Sequence, residues 1–347
     1  MSVKVNNNSL IELIEDIKNN DYSDVSRECM IVAVTELDVS EVTDMKKAFF
    51  YSNYNRPLNE WNVSNVVDMD GVFHNSIYNH PLNEWDVSNV TSMAYSFSSS
   101  LFNHPLNNWD VSNVTSMVYS FNSSLFNHPL NEWDVSNVTN MRGMFDHSKY
   151  DHPLNKWGVS NVTNMRWMFY FSIYNHPLNE WDVSNVTNMS NMFEHSKYNH
   201  PLNEWDVSSV TNMNSMFANS VYSHSLNGWD VSNVTTMYGI FDRSIYNHPL
   251  NEWDVSKVTD TRGAFAFSVF NHPIDNWDIS NVTDMREMFL NAKNFKQDLE
   301  AWGDKLRPDV LVLGMFKGSP MEGNEPSWYH ERAEKEIEYN KMLKSNY

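Results

Sequence analysis

The chain has 347 residues, enough for two or three ordinary domains, and 44 acidic against 24 basic residues give it a formal charge of −20. A surface that negative repels phosphate backbones and anionic lipid, so nucleic acid and membranes are disfavoured as partners. One cysteine, Cys29, rules out a disulfide framework and fits a reducing compartment.

The N-terminus, "MSVKVNNNSLIELIEDIKNN", lacks the basic segment and apolar core of a signal peptide. No apolar run approaches the roughly 18 residues that span a bilayer. An intracellular location is therefore expected, in a virion or host cytoplasm if the protein is viral. The stretch "NSLIELIEDIKNN" (8–20) predicts an amphipathic helix, with Ser9 and Glu12 spaced as a capping box. Residues 1–36 are expected to form an N-terminal helical cap.

From 37 to 301 the sequence repeats. Tryptophans fall at 61, 85, 109, 133, 157, 181, 205, 229, 253 and 277, each step 24 residues. The unit reads P-L-N-E-W-D-V-S-N-V-T-x-M-x-x-x-F-x-x-S-x-Y-N-H, with a degenerate copy from Leu37 and a stretched one from Trp302. A fixed period of this size marks a solenoid, propeller or array. It is too short for a propeller blade or two full helices, and suits one coil of a solenoid.

The apolar period changes inside the unit. In "EWDVS" (84–88), Trp85 and Val87 alternate with polar neighbours, which predicts a half-buried strand. In "VTSMAYSF" (90–97), Val90, Met93 and Phe97 share one face of a predicted helix, with Ser88 or Asn89 at its N-cap. Pro81-type residues mark the corner. The expected fold is an α/β repeat solenoid of about eleven to twelve stacked coils, each a short parallel strand plus a short helix, with helical caps. Downstream, "RPDVLVLGMFKGS" (307–319) reads as a distorted last coil and "PSWYHERAEKEIEYNKMLK" (326–344) as a polar terminal helix. Residues 302–347 are thus expected to be a divergent last coil and C-terminal cap that shields the open edge.

At "WDVSNVT-x-M", "MF" and "FKQDLEAW" (295–302), the chain resembles the DUF285, or BspA-like, repeat of bacterial and mycoplasmal surface proteins, also abundant in some protists and large DNA viruses. The resemblance covers roughly 37–316. It implies a leucine-rich-repeat-like fold and a role in adhesion or protein binding, with no catalytic residues to carry over. The chain has "NHPLNEW" where such relatives tend towards "FNQDLSxW", and it lacks an export signal. Both departures point to an intracellular, viral or protist relative.

Four columns could carry chemistry. Stacked imidazoles at His80, His104 and His128 and their equivalents could hold a row of metal ions, but a corner role, bonding a neighbouring carbonyl and packing on the next ring, is the simpler reading. Carboxylates at Asp86, Asp110 and Asp134 could collect Ca²⁺ or cleave glycans, yet identical environments suit a solvated face better than an active site. Asparagines such as Asn83 and Asn107 could form amide ladders, and the "NVT" sequons read as capping chemistry. The threonine column at Thr91 and Thr115 would sit at a helix start, not on an ice-binding sheet.

Function is expected where copies differ, at the two residues after each methionine. There Tyr95, Tyr119, Arg142, Arg166, Trp167, Tyr238, Arg262 and Arg286 are of types enriched at binding hot spots. Trp167, flanked by Arg166, is expected to be an exposed anchor. The reading is a non-enzymatic scaffold for an unidentified protein partner, with no cofactor or metal. The alternatives are a self-associating structural component, hence a homo-oligomer, and a carbohydrate or cation binder.

Overall fold

The coils are built from backbone bonds between copies, and neither the expected strand nor the expected helix forms. A computed structural model describes residues 3–19 and 34–345, so Cys29 and part of the expected N-terminal cap lie outside the described residues. The chain divides into two units, Met1–Pro177 and Leu178–Tyr347. Each is a stretch of repeat solenoid with one parallel bridge position per coil. These are Asp44, Asp68, Ser92, Ser116, Asn140 and Asn164 in the first unit, and Asn188, Asn212, Thr236, Asp260, Asp284 and Leu311 in the second.

The coil around Trp85 shows the pattern. Thr91 N donates to Val67 O of the preceding coil at 2.9 Å. The amides of Met93, Tyr95, Phe97 and Ser99 then donate to Ser116, Val118, Ser120 and Asn122 of the next. Between them, Ser96, Ser98 and Ser100 close turns onto Met93, Tyr95 and Phe97. Every second amide thus points along the stack, which a helix forbids because it spends each amide on its own chain. The alternation depends on left-handed residues, Tyr95 at φ +58° and Ser99 at φ +54°. The i, i+3, i+7 spacing of Val90, Met93 and Phe97 arises from successive turns. In "EWDVS" the alternation of burial is as expected, but Trp85 N closes a turn on Leu82 O and Ser88 N donates to the Asp86 carboxylate. The bridges lie seven residues further on, at Ser92.

The interior is one set of columns per unit. Leu82, Trp85, Val87, Val90, Met93 and Phe97 are each 3% exposed or less. At about 1.5–3 kcal/mol for each large side chain buried, they dominate the favourable side of folding. Trp85 stacks on Trp109 with centroids 6.4 Å apart and planes within 1°, and Trp205 stacks on Trp229 at the same distance. Each buried indole N–H needs an acceptor. Trp85 donates to Leu58 O at 2.8 Å and Trp229 to Leu202 O at 2.9 Å, each one coil back, whereas the Trp61 N–H near the start of the stack is buried without a partner among the described residues. The last coil takes up one extra residue between Trp277 and Trp302, and the Trp302 indole still donates to Ile274 O, at 3.2 Å.

The ends substitute side chains for missing coils. Helix α1 (Asn7–Asn19) buries Leu10 and Ile14. Its capping box is Asn6 with Ser9, three residues before the expected Ser9 and Glu12: Ser9 N donates to Asn6 Oδ1, and Asn6 N to Ser9 Oγ. Asn7 Oδ1 then accepts from Thr43 N and Asp44 N, standing in for a preceding coil's carbonyl. At the other end lies helix α2 (Tyr329–Ser345). From it the buried Glu336 accepts from Val312 N and Leu313 N at 2.8 and 2.9 Å. Trp328, just before α2, donates to Leu299 O and so continues the indole column. No helix of the described residues is long and apolar enough to cross a membrane.

Candidate interaction face

The repeated polar columns are committed to the backbone. His80 Nε2 lies 3.1 Å from Asn55 O, and His104, His128, His152, His224 and His272 meet the equivalent carbonyl at 3.0–3.1 Å. A carbonyl only accepts, so the imidazole carries its proton on Nε2. Each ring also packs edge-on against the aromatic two residues before it, such as Tyr78 on His80 at 5.8 Å, and not on the next imidazole. Asp86 accepts from both the amide and the hydroxyl of Ser88, which hold its carboxyl below the usual carboxylate range. The same serine contacts lower Asp134, Asp182, Asp206 and Asp254. Asn89 donates to Ser64 O of the preceding coil, where an N-cap was expected, and Thr91 Oγ1 to Val67 O. Among the described residues no group of three or more His, Cys, Asp or Glu is placed to hold a metal ion.

The variable pair after each methionine has a backbone rule of its own. Its second residue has positive φ in every coil, from Lys47 and Gly71 through Tyr95, Tyr119, Gly143 and Trp167 in the first unit. A second such column, four residues on, holds Tyr51, Asn75, Ser99, Ser123, His147 and Phe171. None of these, nor of their equivalents in the second unit, is β-branched. An L-residue pays about 1 kcal/mol for this geometry, and a β-branched one more. Because every coil has it, the geometry belongs to the frame, and only the side chain on it varies.

The candidate residues assemble into two patches, one per unit. In the first, Tyr95 stacks on Tyr119 at 5.1 Å, and Tyr119 lies 6.4 Å from Trp167. Gly143 leaves the space that the Tyr119 ring fills. Arg142 sits over both Tyr119 and Trp167, and Arg166 over Trp167 at 3.7 Å. Trp167 is half-buried by these guanidiniums, where an exposed anchor was expected; Tyr95 is the exposed ring, at 42%. Beside it, Lys46, Lys47, Phe50, Asp70 and His74 line a cavity of about 360 Å³.

In the second unit, Arg262 lies over the exposed Tyr238 at 5.1 Å. Its Nη2 donates to Asp260 Oδ2 at 2.7 Å, and Arg286 Nη2 to Asp284 Oδ2 at 2.6 Å. These hydrogen bonds raise both guanidiniums above their ordinary value. The first patch has Asn140 and Asn164 at the corresponding positions, which accept the Arg142 and Arg166 amides through Oδ1 but carry no charge. Burial, and then the neighbouring Arg142, push Arg166 below its ordinary value.

One outward column escaped the sequence reading. Ile77, Leu101, Leu125 and Ile173 in the first unit and Ile245 and Val269 in the second are 36–51% exposed. They occupy the x of "S-x-Y", and its recurrent aliphatic character was the available signal.

A family model described as "Mycoplasma protein of unknown function, DUF285" matches residues 19–128, 121–226 and 220–321. No curated protein matches the sequence. Among solved structures, the chain is similar to the LRR ectodomain of the plant membrane receptor kinase GASSHO1/SCHENGEN3 from Arabidopsis thaliana, crystallised with CASPARIAN STRIP INTEGRITY FACTOR 2. The identity is 11% and the TM-score 0.32, over 82% of this chain and 44% of that one, so the chain spans less than half of the ectodomain's length.

Proposed function

This chain belongs to the DUF285 family, and from that membership we propose that it is a non-enzymatic scaffold whose outer face binds another protein. One observation carries the reading: the interior is the same in coil after coil, while the left-handed positions and their neighbours change identity. A constant frame with a variable address suits recognition. Tyr, Trp and Arg on that address are the residues that anchor interfaces. Catalysis finds less support, since the aspartates and histidines hold backbone groups of their own or adjacent coils in nearly every copy. The same commitment weakens the carbohydrate and cation readings.

Affinity capture from native lysate tests the scaffold reading, with Tyr95→Ala/Trp167→Ala and Tyr238→Ala as comparison variants. A stoichiometric partner, depleted by at least one variant, is expected. Capture of nothing above background, or equal capture by all three proteins, would overturn it. The exposed aliphatic column favours self-association as the second reading. A concentration-dependent rise in mass, abolished by Leu101→Ser/Leu125→Ser, would establish that alternative.

A further inference from the structure

Arg142 and Arg166 place their guanidinium carbons 4.8 and 3.7 Å from the centroid of one ring, that of Trp167. Among the described residues neither has a carboxylate within ion-pair distance, and the Nε of each is buried without a hydrogen-bond acceptor. A buried donor left unmatched costs about 1–3 kcal/mol, and two like charges side by side add repulsion. Stacking on the aromatic rings offsets part of that cost. An anion arriving from outside cannot reach the buried Nε atoms, but it would relieve the repulsion between the two cations. The guanidinium fork, planar and always charged, is shaped for carboxylate or phosphate oxygens.

The second unit supplies the internal contrast. Arg262 and Arg286 occupy the equivalent positions, and there Asp260 and Asp284 already fill the role of the anion. Replacing aspartate by asparagine keeps the turn at the bridge position and removes only the charge. The first unit thus lacks the counter-ions, and it carries the rings of Tyr119 and Trp167 where the second has Gly239 and Glu287.

The ledge is long. It runs from the cavity beside Lys47, Phe50 and His74 across Tyr95 and Tyr119 to Arg166. From the bridge at Asp44 to that at Asn164 there are five coil steps, and at about 4.8 Å each they span about 24 Å, the reach of about seven extended residues.

We propose that Tyr95, Tyr119, Arg142, Arg166 and Trp167 form a docking ledge for an extended, acidic segment of a partner protein, whose carboxylate or phosphate groups pair with the two guanidiniums. The assignment rests on the scaffold reading and gives it a ligand chemistry. Single-stranded nucleic acid also stacks on aromatic and arginine ledges; the charge of −20 opposes both ligands, and two guanidiniums match a segment with two carboxylates or phosphates more closely than a strand charged at every nucleotide.

Fluorescence anisotropy on the full chain tests the assignment. The probes are a labelled oligo-glutamate peptide of about eight residues, its oligo-glutamine counterpart, a phosphoserine-containing peptide and an oligouridylate. Oligo-glutamate or the phosphopeptide should bind and oligo-glutamine should not; preference between the first two identifies the anion. Arg142→Gln/Arg166→Gln should weaken binding at least about tenfold with an unchanged melting temperature, and Arg262→Gln/Arg286→Gln should leave it intact. Equal binding by both double variants, no binding by the unmodified chain, or tighter binding of oligouridylate overturns the assignment. If neither anionic peptide binds while Arg142→Gln/Arg166→Gln still captures a stoichiometric lysate partner, the ledge assignment fails and the scaffold reading stands.

Discussion

The two arginine pairs differ at the bridge residues and in the side chains beside them. Arg142 and Arg166 face asparagines at the bridge positions, whereas Arg262 and Arg286 face aspartates. Backbone path, turn and amide contact are the same in both. One patch is thereby neutral and internally satisfied, and the other keeps two uncompensated cations over a tryptophan. The lesson is that a repeat frame can switch a surface from inert to receptive by changing the bridge residue's charge and the side chain on the left-handed position, here Trp167 against Glu287, with the backbone unchanged.

The comparison presumes equal interiors, and that is where it can be broken most severely. Trp109→Ala and Trp229→Ala each remove an indole at most 3% exposed, together with its bond to a leucine carbonyl. Each should cost about 3–5 kcal/mol by denaturant titration. A much larger loss in one unit than the other would mean that the units differ inside as well as outside.

Charge exchange sharpens the comparison directly. Asn140→Asp/Asn164→Asp preserves the acceptor for the Arg142 and Arg166 amides and supplies the missing carboxylates. Oligo-glutamate affinity, read by anisotropy, should fall at least about tenfold. Asp260→Asn/Asp284→Asn in the second unit should create at most a weaker site, since Gly239 and Glu287 stand where the first unit has Tyr119 and Trp167. If neither exchange alters binding, the difference between the patches is not electrostatic.

A smaller effect separates the frame from what sits on it. Gly143 and Gly263 have nearly the same backbone, at φ +62° and +59°. Alanine at either should cost about 1–2 kcal/mol in conformational strain. At Gly143 the new methyl also collides with the Tyr119 ring, while at Gly263 its nearest neighbour is Ala266 Cβ at 3.9 Å. Gly143→Ala should therefore lower the melting temperature further and weaken peptide binding, and Gly263→Ala should show the strain alone.

The smallest effect should be shared by both units. Asp86 and Asp134 in the first, and Asp182, Asp206 and Asp254 in the second, have lowered carboxyl values because a serine hydroxyl and amide bond the charged form. A lowered folded value means that the stabilisation is present above the unfolded value of about 3.9 and is lost as pH falls through the folded one. Thermal melts should thus decline below about pH 4, and Asp86→Asn should flatten that decline slightly. Melts independent of pH down to about 2 would contradict the role given to the serine contacts.

Much of this was legible in the letters. The 24-residue interval specified which side chains stack, and Trp85, Val90, Met93 and Phe97 are interior as their spacing requires. The local conformation was not legible by the same means. Apolar residues at i, i+3 and i+7 fit a helix and a chain of turns equally, and the hydrogen bonds that distinguish them run between copies. A finer signal was present: glycine recurs at 71, 143, 239, 263 and 314 in one column, and valine, isoleucine and threonine never occupy it. The site was half legible. Tyr119, Arg142, Arg166 and Trp167 stood out as hot-spot types, but whether an arginine is satisfied depended on a bridge residue two positions earlier, Asn140 or Asp260, that looked like ordinary variation.

The central claim is that uncompensated charge on a shared frame selects the binding face. Hydrogen–deuterium exchange of the full chain, with and without oligo-glutamate, addresses it most directly. Slowed exchange should be confined to peptides spanning Tyr95–Ser99, Tyr119–Ser123, Arg142–His147 and Arg166–Phe171. Equal slowing around Tyr238, Arg262 and Arg286, where the aspartates already sit, would contradict it.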